Sequence, residues 1–413
     1  MDVAVASIDI TPNFNVQLYG YESRKNRKTR KVLDPLYLKG IALRDGRREV
    51  FILSFDLCLF DEIISAKLQA ELQQLGIKRD QAFITCTHTH CGPVCSYNPI
   101  FRGDPMPYVK FLIPKLRSIV GELRAGYIAD CILSYGEGTT HVPKNRTNQA
   151  GISDANPNGN IDPVVNVMSI KTPDDDVLAV MFRASVHPTL LKDIMQISAD
   201  LPGSARKHLL DKLARQQKPS TKFLPAVVFL QGFCGDANPI QRGSTEILEK
   251  LGDQLADDAI QVLNNDMIPV DAVLNYQLDF LELPCDTGAD LQKVAAVKKA
   301  LKRGKFQLVK SFMWPIHIVN IAKNVLIIGC GGEIVHELAG MVREIFHEYT
   351  VMLVGYTGEY HTYIPAENHF RPDSYEAIGV IKYTNLAGPL DRDGLNARLE
   401  AKFNALHEIV QTW

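Results

Sequence analysis

No stretch of this chain approaches the ~20 consecutive apolar residues a helix needs to cross a bilayer. Charge of one sign is missing too: 45 Lys and Arg against 47 Asp and Glu leave a formal net charge of -2. Nothing global therefore points to nucleic acid or an anionic membrane. The opening MDVAVASIDITPNFN meets acidic and polar residues before any sustained apolar run, so no signal peptide is expected. Neither a repeat of fixed period nor a low-complexity linker is visible. Cysteine is present but sparsely spread, at Cys58, Cys86, Cys91, Cys95, Cys131, Cys234, Cys285 and Cys330. Several lie inside apolar runs such as SFDLCLF and IIGCGGE and read as reduced core residues, not a disulfide framework. A cytoplasmic home is the expectation, with nonclassical export left open.

What is there is the material of a large core: 413 residues, 46% hydrophobic and 22% charged. Short apolar runs alternate with helical patterns. EVFILSFDLCLF, QAFITCTH, VLAVMFRASVHP, LPAVVFLQGFCGDANP, KNVLIIGCGGE and VMLVGYTGEYHTYIP read as strands running into loops. DEIISAKLQAELQQLGI, residues 106–126, SARKHLLDKLARQQ, ILEKLGDQLADDAIQVLN, residues 334–349 and the terminal LNARLEAKFNALHEIVQT read as helices. The rhythm predicts an α/β fold, a mixed β-sheet core covered by helices, with residues 1–413 forming a single domain. The one strong charge run, RKNRKTRK (24–31), is expected to be a solvated loop, an acidic ligand or membrane headgroup being the alternative.

The polar residues fall in a pattern. His88 and His90 of FITCTHTHCGP, His187, Asp236, Glu333 and the Tyr360–Tyr363 pair all follow the C-terminal end of an apolar run. In open α/β sheets such loops gather at one edge and build the site. Strand alternation would point His88 and His90 the same way, as in a metal site. Each residue also has a structural reading. His187 before a proline fits a hydrogen-bonded core histidine, Glu333 a first-turn carboxylate, and the late tyrosines rim aromatics. Asp56, Asp200 and Asp236 fit braces of the loops. Cys91 and Cys95 beside the histidines offer a rival closed zinc site, though no second paired motif follows downstream.

Through nearly its whole length the chain resembles the neutral/alkaline, non-lysosomal ceramidase family. The resemblance is carried by an ordered set: IDITP, GY at 20–21, THTHCGP, NR at 145–146, IDP at 161–163, VHPT, SADLPG, GFCGDANP, GGE at 331–333 and YHTYIPAENHFRPDSYEA. It implies one zinc per chain on His88, His187, Glu333 and Tyr363. It further implies His90 as a proton carrier to the leaving nitrogen, and Arg146 and Tyr375 as donors to the oxyanion. The activity so implied is hydrolysis of an amide (N-acyl) bond by zinc-activated water, on a small N-acyl or lipid-like substrate.

Departures narrow the substrate. The family's serine after the second histidine is Cys91 here, the glycine after the proline is Val94, and GDVSP reads GDANP. The segment after Glu333 is also changed, and the family's C-terminal immunoglobulin-like domain is not expected to follow the last motif. Ceramide itself is therefore not the expected substrate, and residues 92–107 are expected to act as a lid that selects one. Three alternatives stand: an esterase or lactam hydrolase on the same centre, an amidohydrolase-superfamily barrel, and a catalytically retired scaffold that binds a small ligand or partner. Homo-oligomerisation stays open.

Overall fold

The computed structural model describes residues 1–413 except 47, 98–102, 149–150, 153–158, 219–220, 222, 266 and 289–307. Besides four two-stranded ladders, the described β structure forms three mixed sheets that share one order of strands, the second with an extra edge strand at Ile268–Pro269. In the first, Asp2–Asp9, Tyr37–Asp45 and Arg48–Phe55 pair antiparallel. The chain then crosses through helix Glu62–Gln74 to Ala82–Cys86, which runs parallel to Arg48–Phe55. In the second, Ile132–Thr139, Val164–Lys171 and Val177–Ala184 pair antiparallel, and helix Asp200–Gln216 leads to the parallel strand Ala226–Gln231. In the third, Ala272–Pro284, Ser311–Ala322 and Val325–Cys330 pair antiparallel, and helix Glu337–Ile345 leads to the parallel strand Thr350–Val354. The expected mixed α/β core is thus three open sheets, and none of them closes into a barrel.

Side-chain alternation explains the packing. Along Arg48–Phe55, Val50 and Ile52 enter a central core, while Phe51, Leu53 and Phe55 face the helices outside. Val228 and Leu230 point to the same centre, with Val227 and Phe229 outward. Val325 and Ile327 do likewise, with Leu326, Ile328 and Cys330 outward. The inner faces of all three sheets share one core, and each outer face is covered by helices. Strands buried on both faces read as continuous apolar runs, which is why the parallel ones are conspicuous in the sequence.

Three boundaries differ from expectation. Helix Asp200–Gln216 starts four residues before SARK, because Pro202 suits a first turn whose N–H groups have no intrahelical partner. Residues 333–334 are not helical: Glu333–Ile334 forms a short parallel ladder with Tyr363–Ile364. The basic run is not wholly solvated. Arg24 is buried and donates to the carbonyls of Tyr19 (2.7 Å), His90 (2.5 Å) and Lys192 (2.9 Å), while Lys25, Arg27, Lys28, Arg30 and Lys31 are exposed.

Candidate metal centre

Each parallel strand pair ends at one edge of the fold, and the loops there carry the chemistry. Ala82–Cys86 ends just before His88, Val177–Ala184 before His187, and Val325–Cys330 before Glu333. Strand alternation is not what joins His88 to His90. His88 has left the strand with φ +67°, a conformation costly for a residue with a Cβ. Its surroundings enforce it. The His88 amide donates to the Leu57 carbonyl at 2.9 Å, and its ring stacks on Tyr356 with centroids 3.9 Å apart.

Three imidazoles converge through their Nε2 atoms: His88 to His187 at 3.1 Å, His88 to His90 at 3.2 Å, and His90 to His187 at 3.1 Å. Glu333 closes the set, with Oε1 3.4 Å from His88 and Oε2 3.8 Å from His187. Glu333 Oε2 is buried and has no hydrogen-bond partner among the described residues. A tetrahedral zinc site with arms of ~2.0–2.1 Å has donor–donor edges of ~3.3–3.4 Å, so this spacing suits such an ion. The tautomers agree. His88 Nδ1–H donates to the Cys58 carbonyl at 2.8 Å, which leaves Nε2 a bare lone pair aimed at the other rings. His187 Nδ1 lies 3.4 Å from the Cys234 carbonyl and 3.5 Å from Arg146 Nη1. It serves one or the other, and donation to the carbonyl leaves its Nε2 equally bare. Burial, then His88 and Arg146, hold the His187 imidazole well below its ordinary value and so neutral. Lone pairs facing one another at ~3 Å repel unless a proton or a metal cation lies between them, and His88, His187 and Glu333 are spaced to hold a metal ion.

His90 differs. Its Nδ1 is buried without a hydrogen-bond partner among the described residues, so no carbonyl fixes its tautomer. Its ring packs against the backbone of Gly20, where φ is +96° and an added Cβ would stand 2.5 Å from His90 Cγ. The Tyr363 hydroxyl accepts from Arg146 Nη2 at 3.0 Å, and the Tyr363 and Tyr375 rings meet edge to face at 5.6 Å. Arg146 also pairs with Glu376 at 3.2 Å, and its guanidinium lies 5.5 Å from the centre of the Tyr375 ring. Burial alone would lower the Arg146 guanidinium, but Tyr363, Glu376, Tyr375 and Glu333 outweigh it and keep the cation.

The three aspartates are braces. Asp56 binds both guanidinium nitrogens of Arg206 (2.7 and 2.5 Å) and accepts from Thr87 Oγ1 at 3.2 Å, next to His88. Asp200 accepts from the amides of Leu190 and Leu191 just after His187. Asp236 pairs with His336 Nδ1 at 2.5 Å, and its backbone carbonyl accepts from the Arg146 amide at 2.8 Å. Cys91 and Cys95 join no group of metal-spaced donors among the described residues. Cys58 lies near His88, but burial pushes its thiol well above the ordinary value. The supposed lid includes residues 98–102, which lie outside the described ones. Sequence reasoning missed Glu376, Tyr356, Gly20 and the Cys58 carbonyl. Glu376 and Gly20 lie inside quoted motifs, the segment 360–377 and the GY pair at 20–21, but neither's role was visible there.

No family model matches the chain, and no curated protein does. Two solved structures match closely in shape. A crystal structure of neutral ceramidase from Pseudomonas aeruginosa aligns with 98% of this chain and 74% of its own, with TM-score 0.77 and 17% identity. A ceramidase complexed with C2 aligns with 98% of this chain and 75% of its own, with TM-score 0.76 and 15% identity. This chain has the neutral-ceramidase fold.

Proposed function

We propose that this protein is a zinc-dependent hydrolase of an amide (N-acyl) bond whose substrate is not ceramide. The observation that carries the reading is the convergence of His88, His187 and Glu333, donors from three separate sheets, at 3.1–3.8 Å from one another in a fold shared with neutral ceramidases. These three would hold the metal, with Tyr363 as the fourth ligand. Zinc there supplies a Lewis acid that brings deprotonation of water close to pH 7. Arg146 and Tyr375 stand ready to donate to an oxyanion on the substrate carbonyl. His90, the one of the three clustered imidazoles whose Nδ1 has no partner among the described residues, would carry a proton to the leaving nitrogen. Eight free, buried cysteines suit a reducing compartment and support a cytoplasmic setting.

Metal analysis with a substrate screen tests this. Zinc-loaded protein is offered N-acylated amino acids, amino sugars, sphingoid amides and lactams. About one zinc per chain and turnover of one class are expected. His88→Ala and Glu333→Ala should each lose both metal and turnover, whereas His90→Ala should keep zinc and lose ~10²–10⁴ in rate. A folded, zinc-loaded protein that hydrolyses none of these would sink the enzyme reading and favour a retired scaffold.

A further inference from the structure

Away from the metal centre, strand Tyr37–Asp45, helix Asp200–Gln216 and the start of helix Thr245–Asn265 enclose a cavity of ≈390 Å³. That is within the ~300–1,000 Å³ range of small-molecule sites. Leu210, Val227 and Leu248 form an apolar wall.

Lys39 is out of place here. By alternation it shares a strand face with Ile41 and Leu43, which belong to the central core. Its cross-strand neighbours are Ser7 and Ser54. Its ammonium donates to Ser7 Oγ at 3.2 Å and lies 5.0 Å from the Tyr37 ring centre. No carboxylate among the described residues pairs with it. The other cations of the cavity are committed: Arg206 to Asp56, and Lys207 to Glu249 at 3.4 Å at the mouth. Asp34 does not answer Lys39 either, because its carboxylate is taken by Ser198 Oγ and the Ala199 amide. Burial, then the nearby Arg206, bring the Lys39 ammonium down to about 8 against the pull of the Asp56 carboxylate, which Arg206 already binds, so it is still mostly charged at neutral pH.

A part-buried ammonium with no carboxylate at ion-pair distance is a poor resting state that a bound anion would relieve. The charge is a single point and the Arg206 fork is occupied, so a monocarboxylate suits the cavity better than a phosphate, which calls for several donors. The wall beside it calls for an apolar tail. We propose that this cavity is a second, non-catalytic site for a small carboxylate with an apolar tail, held by Lys39 and lying along Leu210, Val227 and Leu248.

Isothermal titration of the full chain with octanoate tests the proposal. One-to-one binding is expected, weakened at least tenfold by Lys39→Met and likewise by Leu210→Trp, whose larger ring crowds the apolar wall. His88→Ala should bind as the parent does, since it alters only the metal centre. Circular dichroism verifies that each variant is folded. Absence of binding at millimolar octanoate, full affinity in Lys39→Met or Leu210→Trp, or loss of binding in His88→Ala would each overturn it.

Discussion

Arg146 shows how much a single buried side chain holds at this centre. Its guanidinium meets Glu376 at 3.2 Å and the Tyr363 hydroxyl at 3.0 Å, with His187 Nδ1 at 3.5 Å. On the proposed reading, removing it strips an oxyanion donor, worth ~10²–10³ in kcat, and it also leaves the Glu376 carboxylate buried and unpaired. Arg146→Lys keeps the charge but not the fork, so most of that rate should still be lost. Glu376→Gln should cost about tenfold through slack in Arg146, while zinc content stays at the parental value; parallel kcat and metal measurements check both. The convergent histidines were legible as candidates because a polar residue after an apolar run stands out. Glu376 was not, because it acts through a residue 230 positions away that nothing local announces. The contact of Gly20 with His90 was equally unreadable, although the GY pair itself was noticed. Gly20→Ala would force a Cβ into His90 at φ +96°. We expect a stability loss of ~1–3 kcal/mol and a fall in turnover with zinc retained, read by denaturant unfolding and metal analysis.

The elements around the centre are fastened by buried ion pairs between one sheet's loops and the next sheet's helix. Asp56 follows strand Arg48–Phe55, and its partner Arg206 belongs to helix Asp200–Gln216. Asp56 also accepts from the Tyr37 amide at 2.8 Å and from Thr87 Oγ1, so the pair anchors the turn that presents His88. Arg206→Leu should destabilise the protein by ~3–5 kcal/mol by stranding the carboxylate, and the double variant Asp56→Leu/Arg206→Leu should regain much of that. Turnover should not return with stability, because Thr87 stays unheld; unfolding curves and kcat on all three variants separate the two effects. Parallel strands and amphipathic helices were readable from their runs and periodicity. The antiparallel Ala272–Pro284 was not, because it is half-buried along most of its length and its alternation is faint. Each sheet repeats the same order of antiparallel strands, crossover helix and parallel strand, yet no residue period betrays it, since the connecting segments differ in length.

At the scale of the molecule, that repetition makes the centre a clasp. His88 comes from the first sheet's unit, His187 from the second and Glu333 from the third. The donor set therefore exists only when all three units are docked, and the unfolded chain has nothing equivalent. Binding to the native state alone stabilises it by RT ln(1 + [L]/Kd), about 4 kcal/mol at a thousandfold excess over Kd. Chelation should lower Tm by several degrees in the parent and leave His88→Ala unmoved. Acid should act in the same sense. His187 is depressed in the folded protein, so its neutral form favours folding above the unfolded value of ~6.5, and that contribution fades as pH falls from there toward the folded value. Protons then compete with the metal for the same nitrogen only below its ordinary range. The zinc-dependent gain in Tm should thus hold at pH 6.5 and collapse at lower pH, as read from melts of loaded and chelated protein between pH 8 and pH 5. Equal melting of the two across that span would mean that no ion joins the three units.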